Sequence, residues 1–319
     1  MMMRLFFLLL VSGTSALAAS YHLVNLGPEF KAFVKSSIKS DERTRWQAWK
    51  TFEKNHLEII DVAICDAHEA ECEKSKKKQL ADFFKLLPEF QDRMWKIFDQ
   101  APKLTDSQIQ KFRQAFPDLR QDVDVIFMPA LFLFNGKGGV KFHDHYALFI
   151  GVDLVALRQN NLDVLFSHEF FHVYQFEKLI SSKLFQTMAS PLWLEGFATW
   201  ESSQMNPTAS QADILMNAEL AKYCEDQAHI REMASEYLKI LQIKSNDSQI
   251  KKTRIDWFSG GADVNPKRKG YCLGYKALQE VMKDHQLKDI VNLNEDAFSK
   301  ILSQTLKKLE AAPNNLNSP

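Results

Sequence analysis

"SHEFFHVYQFEKL" occupies Ser167 to Leu179, and it sets two histidines and a glutamate in a run of phenylalanine, valine and tyrosine. On a helix, residues four apart share a face, so His168 and His172 can reach one ion. Glu169 lies about a third of a turn from His168. From there a carboxylate can take a proton from water at a metal without itself being a ligand. Leu165, Phe166, Phe170, Phe171, Val173 and Phe176 make the segment apolar nearly all round, which predicts a buried helix with Asn161 as its N-cap. A buried ionised glutamate beside two imidazoles is costly unless a cation compensates it. The competing reading is a pair of core histidines satisfied by hydrogen bonds, with Glu169 in an ion pair.

A second stretch, "SPLWLEGFATWES" (Ser190 to Ser202), favours the metal. A zinc hydrolase uses three protein ligands and keeps one position open. Glu195 is the acidic residue in the apolar first half of this predicted helix, and Gly196 beside it permits close helix–helix approach. Ser190 is the expected N-cap, with Pro191 at the first helical position.

HEFFH followed by WLEGFATWE resembles the gluzincin metallopeptidases, which include the thermolysin-like and aminopeptidase-N-like enzymes. The spacing looks closer to uncharacterised predicted zinc-dependent proteases of that superfamily. The resemblance covers roughly residues 123–296. It implies His168, His172 and Glu195 as ligands of one Zn2+ ion and Glu169 as general base. "GYCLGYKALQEVMKDHQL" (Gly270 to Leu287) resembles the helix that supplies an oxyanion-stabilising tyrosine, which implies Tyr271 or, one turn on, Tyr275. The alternative for both is an amphipathic core tyrosine. The resemblance also implies that Gly136 to Tyr146 borders the cleft and pairs with substrate backbone. The aminopeptidase branch carries a glutamate in a Gly-rich motif, and "NGKGGVKF" contains none, so aminopeptidase action is not implied. Thr199 and Glu201 are the candidates for holding the ligand imidazoles.

His143-Asp144-His145 could place two imidazoles on one strand face, but a second metal site would need a further ligand, so a polar hairpin flank is the expectation. His22, His56, His68, His229 and His285 have no ligand-like context. No nucleophile elbow, phosphate loop or dinucleotide fingerprint appears.

The 319 residues are 45% hydrophobic and 25% charged, and Lys+Arg and Asp+Glu balance at 40 each. Such a chain can build a sizeable core, and it has no global field that would favour nucleic acid or an anionic membrane. Arg4, the apolar run Leu5 to Val11 and Ala16-Leu17-Ala18 read as a signal peptide cut after Ala18. The run is well short of the ~20 residues that span a bilayer, so no stable membrane insertion is expected after cleavage. An exported protein, periplasmic or secreted, is permissive for disulfides, and Cys65–Cys72 with Cys224–Cys272 is the favoured pairing. Four buried thiols are the alternative.

Apolar spacing from Pro28 to about Phe116 is helical. "VDVIFMPALFLF" (Val123 to Phe134) reads as a strand broken at Pro129, "NGKGG" (Asn135 to Gly139) as a turn, and Tyr146 to Val155 as another strand. "FSGGADVNPKRKG" (Phe258 to Gly270) reads as a loop. The expected fold is α+β and mostly helical: a signal peptide (1–18), a helical N-terminal region (19–120), a zinc metallopeptidase domain with a small mixed sheet and an active-site helix (121–310), and a disordered tail (311–319). The expected function is hydrolysis of peptide bonds in a peptide or protein substrate by zinc-activated water, with Glu169 as base. The alternatives are a catalytically silent, zinc-stabilised binding protein, or a zinc amidase acting on a non-protein substrate.

Overall fold

The structure, a computed structural model, describes residues 20–64, 70–179, 186–244, 249–259 and 266–313. The expected signal peptide, the Cys65 end of one expected disulfide and residues 314–319 lie outside them. The chain is α+β and mostly helical, with one small mixed sheet.

The N-terminal part contains a strand that the helical periodicity did not announce, β1 (Tyr21–Asn25), then α1 (Gly27–Ser37), α2 (Glu42–Asn55), α3 (Leu57–Ala63) and α4 (Ala70–Ala115). Helix α4 runs for 46 residues with Pro88 and Pro102 inside it. Proline lacks an N–H, so Pro102 leaves the Phe98 carbonyl without its helical donor. Asn25 Nδ2 donates to that oxygen at 2.9 Å and ties the end of β1 to the long helix. The buried Lys76 ammonium pairs with Glu53 between α4 and α2.

Strands β2 (Val123–Met128), β3 (Gly136–Phe142) and β4 (His145–Gly151) complete a sheet of order β1-β2-β4-β3. β1 and β4 pair parallel to β2, whereas β3 pairs antiparallel to β4 and forms an edge. Every residue of β2 is buried, as expected for a strand covered on both faces. It ends before Pro129, where the break was expected. "NGKGG" is not a turn: Gly136 to Gly139 lie in β3. The register shifts between Gly138 and Val140, and Gly139 adopts φ +70° there, a conformation glycine takes without strain. The turn falls instead at His143-Asp144, where His143 has φ +51°. His145 Nε2 meets Asp124 at 2.7 Å and His143 Nε2 meets Glu58 at 2.6 Å, so this segment is the expected hairpin flank.

β4 stops at Gly151, and the rest of the expected strand winds into α5 (Val152–Arg158). The buried Asp153 explains this change. Its two carboxylate oxygens accept from Ala130 N and Phe132 N, each at 2.6 Å, bracing a loop in which Leu131 and Phe132 have positive φ. Next come α6 (Leu162–Lys178), α7 (Ala189–Met205), α8 (Gln211–Ile214), α9 (Ala218–Glu225), α10 (Gln227–Ile240), α11 (Ile250–Arg254), α12 (Lys269–Asp284), α13 (Leu287–Ile290) and α14 (Glu295–Ala311). Phe258 and Ser259, assigned to a loop, close a π-helical turn that begins at Ile255. One hydrophobic cluster takes in residues from Leu26 to Leu309, so the N-terminal helices share a core with the remainder.

Candidate metal centre

Helix α6 starts as the sequence predicts. Asn161 Oδ1 accepts from Asp163 N and Val164 N, and the helix is buried from Val164 to Gln175. Helix α7 starts two residues earlier than expected, at Ala189. Thr187 Oγ1 accepts from Ala189 N at 3.2 Å, while Thr187 itself is held by Glu295. Ser190 is therefore inside the first turn and Pro191 is the third helical residue, two positions deeper than expected, where a missing N–H still costs no helical bond. Gly196 permits close approach, as expected, and its partner is α12. A Cβ on Gly196 would lie 2.7 Å from the Gly274 backbone, and one on Gly274 would lie 2.8 Å from Gly196 Cα. A disulfide, Cys224–Cys272, fastens α12 to α9.

These helices bring His168, His172 and Glu195 together. Their Nε2 atoms are 3.2 Å apart, and Glu195 Oε2 lies 3.3 Å from His168 Nε2 and 3.5 Å from His172 Nε2. Four-coordinate zinc with N and O ligands at ~2.0–2.1 Å separates neighbouring ligand atoms by about 3.3 Å. The three edges match that spacing. Glu195 Oε2 is buried with no hydrogen-bond partner. Burial opposes ionisation of Glu195, yet His172 and His168 hold its carboxyl well below the usual range. Burial likewise disfavours charge on His172, but Glu195, then Glu169 and Gln175, outweigh it and lift its pKa to about 9. The edge lengths and the unpartnered Oε2 make this donor set fit a divalent cation. Among the described residues this is the one such His/Cys/Asp/Glu group.

A sequence profile described as "Predicted Zn-dependent protease (DUF2268)" matches residues 103–301, well over half of the chain. The chain belongs to that family. No curated protein and no solved structure matches it. The family description agrees with a centre of two histidines and a glutamate that could hold a metal.

Within this family member, a cleft of about 280 Å³ opens over the three residues. Its walls include Gly136, Lys137 and Gly138 of β3, Glu169 and Tyr271. Glu169 is buried, and its Oε2 accepts from Gly138 N at 2.7 Å. Tyr271 stands across from it, with its ring 6.0 Å from that of His168. Burial, reinforced by Glu195, pushes the Tyr271 phenol above its ordinary pKa, so it remains a donor. Tyr275 does not line this cleft. It sits beside Ser203, Asn206 and Lys276 on another face of α12.

Three residues of the site were not anticipated. Gln175 Oε1 meets His172 Nδ1 at 3.0 Å, and its Nε2 donates to Leu194 O at 3.4 Å. It thereby takes the role expected of Thr199 or Glu201. Thr199 Oγ1 instead donates to the Glu195 carbonyl at 2.7 Å, within its own helix. Glu201 is buried elsewhere on α7, and burial raises its pKa to about 7. Gln175 is three residues after His172, and that spacing was the available signal. Lys137 is the second. Burial lowers its pKa while Glu169 works against that change. Arg268 is the third. It takes φ +64° at the start of α12, hydrogen-bonds Tyr271 and lies 4.0 Å over the Tyr271 ring. The basic run "KRK" just before Tyr271 was its only trace in the sequence.

Proposed function

We propose that this chain is an exported zinc-dependent peptidase of the gluzincin type, with His168, His172 and Glu195 holding one zinc ion. The observation that carries the reading is the triangle of Nε2, Nε2 and Oε2 atoms, 3.2–3.5 Å on its edges, with a buried carboxylate beside it. Zinc, when bound, supplies Lewis acidity that polarises a peptide carbonyl and lowers the pKa of water.

The remaining steps belong to the chain. Glu169 accepts a proton from the attacking water and passes it to the leaving amine. The Gly138 N–H donates to its carboxylate and fixes it in direction. The Tyr271 hydroxyl donates to the oxygen on which charge develops, and the neighbouring Arg268 guanidinium strengthens that donation. Gln175 fixes the His172 ring so that Nε2 faces the centre. β3 offers a sheet edge on which an extended substrate can be laid, which favours a peptide over a small molecule.

Export is supported by the leader-like N-terminal sequence and by the Cys224–Cys272 disulfide. Among the described residues no helix is long and apolar enough to cross a membrane. The test is metal analysis together with digestion of a mixed peptide library, with and without chelator. One zinc per chain and chelator-sensitive cleavage are expected. Zinc without cleavage over a wide pH range would leave a metal-stabilised binding protein.

A further inference from the structure

A larger cavity, about 460 Å³, has in its wall Arg268, which packs on Tyr271 of the cleft. Arg158, Asn160, Asn161, Asn217, Lys267 and Arg268 line it. Among the described residues neither arginine forms a close ion pair, although Glu195 and Glu169 act on Arg268 at longer range. Partial desolvation by the surrounding protein, and then the Arg268 guanidinium, depress the Arg158 pKa, so two like charges face one space. Asp213 also lines the cavity, but its Oδ2 is committed to its own capping box and accepts from Ser210 N at 3.2 Å and Ser210 Oγ at 2.6 Å. Three helices of eight or more residues, α6, α9 and α12, begin at Asn161, Asn217 and Arg268 on its wall, and their first turns add positive potential. Like charges gathered on one cavity wall attract an anionic ligand.

The cavity also has a fixed place relative to β3. Asn135, the residue before β3, donates from Nδ2 towards Asn160 Oδ1 at 3.5 Å and Met216 Sδ at 3.4 Å, and both partners line the cavity. The space therefore lies off the first residue of the edge strand. A peptide added to β3 in the antiparallel sense, the more stable pairing per residue, runs opposite to β3. Its C-terminal side then points towards Asn135 and the cavity. We propose that the cavity between Arg158 and Arg268 binds a substrate carboxylate on the C-terminal side of the scissile bond. This rests on the peptidase reading given above. The carboxylate is either the α-carboxylate of a chain end or an acidic side chain, and both present the planar acceptor pair that a guanidinium fits.

The test compares a mixed peptide library as free acids and as C-terminal amides, digested by the zinc-loaded protein and by its Arg158→Gln variant. Free acids cleaved near their C-termini about tenfold faster than amides, with the difference lost in Arg158→Gln, are the expected result. If amides carrying Asp or Glu after the cut share the preference, the carboxylate is that of a side chain. Equal cleavage of acid, amide and neutral peptides, unchanged in Arg158→Gln, overturns the proposal. No cleavage of any peptide overturns the peptidase reading, and a binding measurement then decides the cavity. The zinc-free protein is titrated with an acetylated tripeptide acid and with its amide. The acid binding about tenfold tighter in wild type and equally in Arg158→Gln upholds the cavity, whereas equal binding in wild type rejects it.

Discussion

Gly138 lies directly against Glu169: its N–H donates to Glu169 Oε2 at 2.7 Å, and a Cβ on it would lie 1.9 Å from the Glu169 carbonyl oxygen. The edge strand and the motif helix are in backbone contact there. The proposed general base thus receives its orienting hydrogen bond from the wall of the cleft.

Gly138→Ala is therefore expected to push β3 off α6. Overpacking of this kind costs about 1–3 kcal/mol. Chemical denaturation should show that loss, and zinc content should stay near one per chain. Peptide cleavage should fall by more than tenfold, because the Glu169 carboxylate loses its donor. Full activity in a destabilised variant would separate β3 from catalysis.

Glu169→Gln keeps the shape and removes the base. Loss of general-base catalysis is expected to cost about 10²–10⁴ in kcat, with zinc retained. Metal analysis and steady-state kinetics on one preparation check both halves. Glu195→Gln should instead lose zinc, since its Oε2 has no other partner.

Tyr271→Phe should reduce kcat by about 10²–10³ with little change in KM, the signature of a donor used in the transition state. Tyr275→Phe serves as the internal comparison and should be close to wild type, because its side chain lies outside the cleft.

The buried Glu201 predicts a pH-dependent stability. Its folded pKa is raised to about 7 from an ordinary 4.5, so the folded state holds the proton more tightly than the unfolded state does. Its destabilising contribution is absent below about pH 4.5, grows as pH rises towards 7 and is complete above it, where it reaches up to about 3 kcal/mol. Glu201→Gln should raise the denaturation midpoint at pH 8 and leave it unchanged at pH 4. Equal shifts at both pH values would remove burial as the cause.

Cys224→Ser with Cys272→Ser frees α12 from α9 across a sequence separation of 48. The chain-entropy argument gives a loss of about 4 kcal/mol, measurable by denaturation under matched conditions. Activity should fall as well, because Tyr271 adjoins Cys272.

The sequence by itself determined the α6 helix with its Asn161 cap, the apolar setting of His168, Glu169 and His172, the nomination of Glu195 and the close approach at Gly196, and it favoured the Cys224–Cys272 pair that the structure contains. Each rests on local spacing or on a covalent rule, and such signals need no knowledge of what packs where. Strand β1 carried no comparable signal, because five residues pair with β2 across nearly a hundred intervening positions. "NGKGG" looked like a turn because glycines usually mark one. Only the packing shows that they are glycines so that β3 can lie on α6 at Glu169 and Phe176. Gln175 displaced Thr199 as the partner of His172 because the crossing of α6 and α7 sets which side chain can reach its Nδ1. Tyr271 was separated from Tyr275, and Arg268 was brought beside it, by the rotation of α12 about the Gly196–Gly274 contact. That rotation is fixed by two backbones in contact, a tertiary fact with no counterpart in either helix alone.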